Sequence, residues 1–405
     1  MMNCFRLPRS MRPMLYGVAI CFTILQAVTA QSATYYVATT GNDSNPGTSS
    51  SPWRNPQKCA LSPVRAGDTC IVRSGTYTDT DGDGVVVFVY NRSSTPSGTA
   101  SAPITIKSEK PLGAAIVLPS NRSFAIGFQI YKPYYVIEGF DISGGNSNHS
   151  SAGSVGVQFR ESGTGGIARS NAIHHIGRAS CTNSTNGFAG VIVRTGSILV
   201  ERNRIYSIGR RRNGESGCST TVSGLDHGIY IRAASNATIR RNVIYDANSG
   251  SPIQVYGGTT TNLNIHHNTM SGNLATAHIR LASTINTANI RNNTSNNPRL
   301  GMLHVAGLTA SKVSVTHNTV TSRMIAVSNV SGVTLSSNFE NTSSLGFINQ
   351  SSNDFRLTSS SPLINRGTTS GVPIVSDGKP DVGSYEYSVQ NNTASPLTPT
   401  GLKVQ

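Results

Sequence analysis

The sequence predicts an all-β chain wound as a single-stranded right-handed parallel β-helix, and three observations point there. From about residue 155 a short apolar strand ending in asparagine recurs, reaching Asn171, Asn203, Asn242, Asn268, Asn293, Asn318 and Asn338 at intervals of 32, 39, 26, 25, 25 and 20 residues. A period near 25 residues marks a solenoid, in which each coil is too small to bury its own apolar face and must stack on its neighbours. Only 13% of the 405 residues are charged and 40 are glycine, which excludes coiled coils and helical arrays built on Glu, Lys, Leu and Ala. Short apolar runs recur along most of the chain, which excludes disorder throughout.

Residues 1–30 read as a secretory signal. Arg6, Arg9 and Arg12 precede an apolar run from Met14 to Val28, and Val28-Thr29-Ala30 offers small residues for cleavage. The alternative, an uncleaved anchor, would need a longer apolar run. No later stretch is apolar for long enough to cross a membrane. Cleavage would leave a chain of net charge +12 with four cysteines. Four cysteines allow three pairings; Cys59–Cys70 and Cys181–Cys218 are favoured because each pair is close in sequence and flanks a loop.

Residues 31–388 are expected to form one β-helix domain. Asp79, Asp81 and Asp83 match the first half of a D-x-D-x-D-G calcium loop, but Tyr90 stands where an EF-hand needs its bidentate glutamate. No cofactor is demanded by the sequence; calcium is the one metal this turn suits. Residues 91–103 read as a loop. In the repeats, asparagine suits the corner because it tolerates left-handed geometry and can bond the next coil. The first strand of each coil aligns by an inward pair: Val157/Phe159, Val191/Val193, Ile229/Ile231, Ile253/Val255, Ile279/Leu281 and Leu303/Val305. Alternation then turns Gln158, Arg160, Arg194, Tyr230, Arg232, Gln254, Tyr256, Arg280 and His304 outward on one surface. His174, His175, His266 and His267 lie at the second strand, where one ring of each pair is expected inside the coil. Glu201, at the same location, is expected at the surface or corner. Residues 389–405 read as a mobile tail.

The charge is concentrated. Between residues 160 and 241 there are twelve arginines and no lysine against Glu161, Glu201, Glu215 and Asp226. Arg160, Arg194 and Arg232 should stack at neighbouring heights, where like charges repel. Such a ladder suits an anionic partner, and arginine suits bidentate carboxylate or sulfate. Arg210-Arg211-Arg212 falls in a loop and reads as solvated. Asp226-His227-Gly228-Ile229-Tyr230-Ile231-Arg232 is the densest cluster of titratable groups.

The entry segment, Tyr35-Tyr36-Val37 with Gly41-Asn42-Asp43-Ser44-Asn45-Pro46-Gly47 and Gly67-Asp68-Thr69-Cys70, resembles that of secreted β-helix proteins of the pectate- and alginate-lyase-like superfamily. So do Tyr135-Val136-Ile137-Glu138-Gly139-Phe140 and the closing Ser361-Pro362-Leu363-Ile364-Asn365-Arg366-Gly367 and Asp381-Val382-Gly383-Ser384-Tyr385-Glu386. The resemblance implies a secreted, monomeric carbohydrate-active protein acting on an acidic polysaccharide, with no nucleic-acid partner. A lyase would use His227 or Tyr230 as base and acid and Arg194 and Arg232 on the uronate carboxylate. Gln158, Arg160, Gln254, Tyr256, Arg280 and His304 would line subsites. The sequence departs from the family in lacking the paired acids of β-helix polygalacturonases, the lysine base of several pectate lyases and the Asp-Pro-His of alginate epimerases. A uronate C5-epimerase and a non-catalytic binder of anionic glycans are the alternatives.

Overall fold

A computed structural model describes residues 31–388, apart from 121–123, 145–153, 182–185, 216, 220–223, 248–249, 273–276, 307–309, 326–330 and 372–377. Residues 1–30, read from the sequence as a secretory signal, and 389–405, read as a tail, lie outside the described residues. The chain is a right-handed parallel β-helix whose coils turn through three faces. The first face stacks Val85–Val89, Ile126–Ile130, Val155–Phe159, Ala189–Val193, His227–Ile231, Ile253–Thr260, the start of Ile279–Arg291, and Leu303–Val305. The second runs from Thr34–Val37 to Val333–Ser336, and the third from Gly75–Tyr77 to Thr319–Val320. Among the described residues, every strand pairing is parallel apart from the small antiparallel pair Phe347–Asn349 and Asp354–Leu357.

The expected inward pairs are all in the core: each of the twelve side chains from Val157 to Val305 is at most 2% exposed. One departure from simple alternation shapes everything outside. Gly127, Gly156, Gly190 and Gly228 stack in successive coils just before these pairs. A Cβ on Gly190 would lie 2.7 Å from both the Gly228 carbonyl and the interior Ile205 side chain, and one on Gly228 would lie 2.7 Å from the Pro252 carbonyl and Ile244. Each glycine is thus a bulge, with two consecutive residues turned inward. The residue before it therefore faces out, which gives a second outer row: Val85, Ile126, Val155, Ala189 and His227.

The asparagines form a continuous buried ladder. Asn242 illustrates the unit: its Oδ1 accepts the backbone N–H and the side-chain amide of Asn203, both at 3.0 Å, and its own amide donates to Asn268 Oδ1 at 3.0 Å and to the Val200 carbonyl at 2.9 Å. The left-handed residue at this corner is the one before each asparagine, namely Ser170, Arg202, Arg241, His267, Asn292, His317 and Ser337. The expectation that asparagine itself adopts that geometry is corrected: the preceding residue turns the chain, which frees the asparagine side chain to face inward.

On the outside of the second face Lys107, Glu138, Arg169, Glu201 and Arg240 lie in register, continuing through His266 and Arg291 to Thr316. Glu138 pairs with Arg169 at 2.8 Å and Glu201 with Arg240 at 2.7 Å. Glu201 is 5% exposed, so it is a buried ion-pair partner and not a surface residue. The histidine pairs are also corrected. His174 sits on the outer surface, with Nε2 2.6 Å from Asp141 and its ring stacked on Tyr206, and His175 is exposed. His266 and His267 are buried, but beside Arg240, Arg241, Arg291 and Asn292. Ile173 and Ile265 take the inward positions, so the ring after each must point out.

Both favoured disulfides are present, Cys59–Cys70 and Cys181–Cys218. From the C-terminal segment, Phe355 and Tyr385 meet Val243 and Tyr245 on the third face, and Glu386 pairs with Arg241 at 2.7 Å. No helix among the described residues is long and apolar enough to cross a membrane.

Candidate functional site

A groove of about 730 Å³ lies on the first face. Its floor follows from register. Gln158, Ile192, Tyr230, Gln254, Arg280 and His304 occupy one outward position in six successive coils, and the glycine bulge brings His227 alongside. Arg194 and Tyr256 come from the next outward position, and Tyr256 is 52% exposed at the rim. Eight of the ten groove residues singled out from the sequence therefore line one concavity: Gln158, Arg194, His227, Tyr230, Gln254, Tyr256, Arg280 and His304. Arg160 and Arg232 are aligned with Arg194 by backbone bonds between coils but lie outside the lining.

The arginine ladder is partly neutralised. Glu161 lies 3.0 Å from Arg160 and 3.9 Å from Arg194, and Arg160 also packs over the Tyr131 ring. Burial alone would raise the Glu161 carboxyl, but its backbone bond and the two guanidiniums hold it below its ordinary range. Arg194 keeps a buried Nε without a hydrogen-bond partner, and its pKa is lowered by burial and by Arg160. Arg232 is exposed.

His227 is 3% exposed and stacks on Tyr230, with ring centroids 5.6 Å apart. Its Nδ1 accepts the Ser251 backbone N–H at 3.1 Å, so in the neutral ring Nε2 bears the proton. Burial pushes its pKa down to about 4, outweighing Asp226. At neutral pH His227 is an N–H donor on the groove floor and has no free lone pair with which to take a proton. The Tyr230 hydroxyl donates to the Tyr256 carbonyl at 3.3 Å; burial raises its pKa while Arg232 and Arg194 pull the other way. His304 has a buried, unpartnered Nδ1, and burial and then Arg280 lower its pKa. Arg280 Nη1 reaches Gln254 Oε1 at 3.4 Å.

Asp226 is not a groove residue. It is fully buried, 2.9 Å from Arg210, and it accepts the backbone N–H groups of Phe188 and Arg210. Arg210, which reads as solvated in the sequence, is also fully buried and lies over the Phe188 ring. This ion pair holds the wall formed by Asn186, Gly187, Phe188 and Leu225. Sequence reasoning missed that wall, because two charges 16 residues apart in a loop give no sign that they will pair inside.

No protein-family model matches the sequence, and no curated protein matches it. Among solved structures the chain is similar to a pectate lyase (17% identity, covering 89% of this chain and 97% of that one, TM-score 0.46). It is also similar to an alginate lyase from Paenibacillus sp. (15% identity, 76% and 95% covered, TM-score 0.45) and to XylC in complex with xylose (12% identity, 75% and 67% covered, TM-score 0.48). These are likenesses of fold, and none assigns a role to a residue here.

Asp79, Asp81 and Asp83 gather in the turn before the first-face strand Val85–Val89, with ligand oxygens within 4.8 Å of one another. Asp79 accepts the N–H groups of Asp81, Gly82 and Gly84, and Asp83 accepts the Tyr90 hydroxyl at 2.8 Å. Among the described lining residues, the groove carries arginine, histidine, tyrosine and glutamine but no carboxylate.

Proposed function

We propose that the groove binds a uronate-containing acidic polysaccharide and cleaves it by β-elimination. The observation that carries this reading is the Tyr230 phenol at the centre of a floor flanked by Arg194 and Arg232, with no carboxylate among the described lining residues. Hydrolysis of a glycoside uses two carboxyl groups across the bond, and this lining offers none. Elimination has different needs: a cation to offset the uronate carboxylate as negative charge builds at C5, a group to take the C5 proton, and a group to protonate the leaving oxygen.

Arg194 and Arg232 meet the first need. Tyr230, as phenolate beside those guanidiniums, takes the C5 proton; the C4–O4 bond breaks as the C4–C5 double bond forms, and the phenol returns the proton to O4. His227 contributes its Nε2–H to a substrate oxygen. Of the two residues read as base and acid from the sequence, this reading uses Tyr230. Gln158, Gln254, Tyr256, Arg280 and His304 line subsites, with Tyr256 as a stacking platform.

The reading includes an extracytoplasmic location, favoured by two disulfides, and a chain that acts as a monomer. Non-catalytic glycan binding is the second reading, and the engagement of His227 Nδ1 by Ser251 favours it. The test is Tyr230→Phe: binding of the active polysaccharide is retained while formation of unsaturated uronate is lost. Equal turnover by the variant would remove Tyr230 from the mechanism. Binding without turnover in the unaltered protein, and no exchange of the C5 proton with deuterated water, would establish the binder.

A further inference from the structure

Outside the groove, the charge row on the second face stops in an unusual way. In two successive steps a glutamate pairs with the arginine one coil later, Glu138 with Arg169 and Glu201 with Arg240. The next step of the same kind is His266 with Arg291. His266 is buried among Arg240, Arg241 and Arg291 and stays neutral, with a pKa held near 3 by burial and then by those cations. Among the described residues no carboxylate pairs with Arg291. Its Nη2 donates to the Gly371 carbonyl at 2.6 Å, its Nε is buried with no partner, and burial alone lowers its pKa.

A cavity of about 260 Å³ opens beside this guanidinium. It is lined by Arg291, Ser314, Thr316, His317, Thr368 and Ser370, and His317 presents a second buried nitrogen, Nδ1, with no partner. A half-buried guanidinium at the edge of a cavity lined by hydroxyls, with no carboxylate partner among the described residues, is costly unless something fills the cavity. We propose that this cavity is an oxyanion site, built to receive a carboxylate, sulfate or phosphate group that takes the place of the missing glutamate. It lies on a different face from the groove and does not depend on the groove's chemistry.

The test is thermal unfolding of the full chain at fixed ionic strength, titrated separately with sodium sulfate, sodium phosphate and sodium glucuronate against sodium chloride. The inference expects a saturable rise in Tm with at least one oxyanion beyond the chloride control. The rise is expected to be lost in Arg291→Gln and kept in the groove variant Arg280→Ala. Which salt acts distinguishes an inorganic ligand from the acid group of a sugar. Thr316→Glu supplies a carboxylate from the position paired in register with Arg291. It is expected to raise Tm without added anion and to abolish the anion response. No oxyanion-specific rise, or an equal rise in Arg291→Gln, overturns the inference, as does an undiminished response in Thr316→Glu.

Discussion

The proposed elimination turns on two side chains, and burial shifts the pKa of both. Tyr230 has its pKa raised by burial and pulled down by Arg232 and Arg194, so the fraction of phenolate grows with pH. The expected kcat/KM profile therefore rises toward alkaline pH. A profile flat across neutral and alkaline pH would exclude the phenol as the proton acceptor. Arg194 lines the groove, and Arg194→Ala is expected to lower kcat by about 10²-fold or more, the usual cost of losing a donor aimed at developing charge. A change confined to KM would make it a binding residue only. The outward placement of Tyr230, Arg194 and the row from Gln158 to His304 was legible because alternation along a strand fixes which side chains face out. His227 was legible as a titratable group but not in its state. Its orientation depends on the Gly228 bulge and its tautomer on the Ser251 backbone, and a pattern of side chains shows neither.

At the scale of the elements, the coil is held by its corner and its bulge. Asn268 is fully buried and bonds both neighbouring asparagines, whereas Asn338 ends the ladder partly exposed. Asn268→Ala is expected to cost about 2–4 kcal/mol in chemical unfolding, because it orphans buried partners in two coils, and Asn338→Ala clearly less. Equal losses would mean that the ladder is not cooperative. Gly190→Ala places a methyl against a carbonyl of the next coil and an interior isoleucine. It is expected to destabilise by about 1–3 kcal/mol or to flatten the groove floor, seen as a lower Tm with weaker glycan binding. The asparagine period was readable in the sequence, but the asparagine's geometry was not. The left-handed turn falls on a preceding residue as varied as Ser170, Arg241 and His317, and only the backbone reveals it. The recurring glycines at 127, 156, 190 and 228 were the available sign of the bulge.

The whole molecule joins a solenoid whose fold repetition makes readable to a groove that repetition does not. His227, His266 and His278 are buried and neutral, with pKa values pushed down to about 4, 3 and 4, and His267 is pushed well down too. An unfolded chain takes up protons on these rings below about pH 6.5 while the folded chain does not, so stability falls as pH drops from there toward 4. Melts at pH 7, 5.5 and 4 should show a declining Tm, and a constant Tm would contradict the burial of these rings. The fold, the inward pairs and both disulfides follow from local pattern. The groove wall, the Arg210–Asp226 pair and the outward histidines follow from contacts between distant segments, which local pattern does not encode. The most direct measurement is the ultraviolet absorbance of unsaturated uronate while the purified protein is incubated with alginate, polygalacturonate, glucuronan, hyaluronan and chondroitin sulfate in turn. A steady rise on at least one of them, abolished by Tyr230→Phe with binding intact, is the predicted result. Binding without any rise across the panel would contradict elimination in this groove.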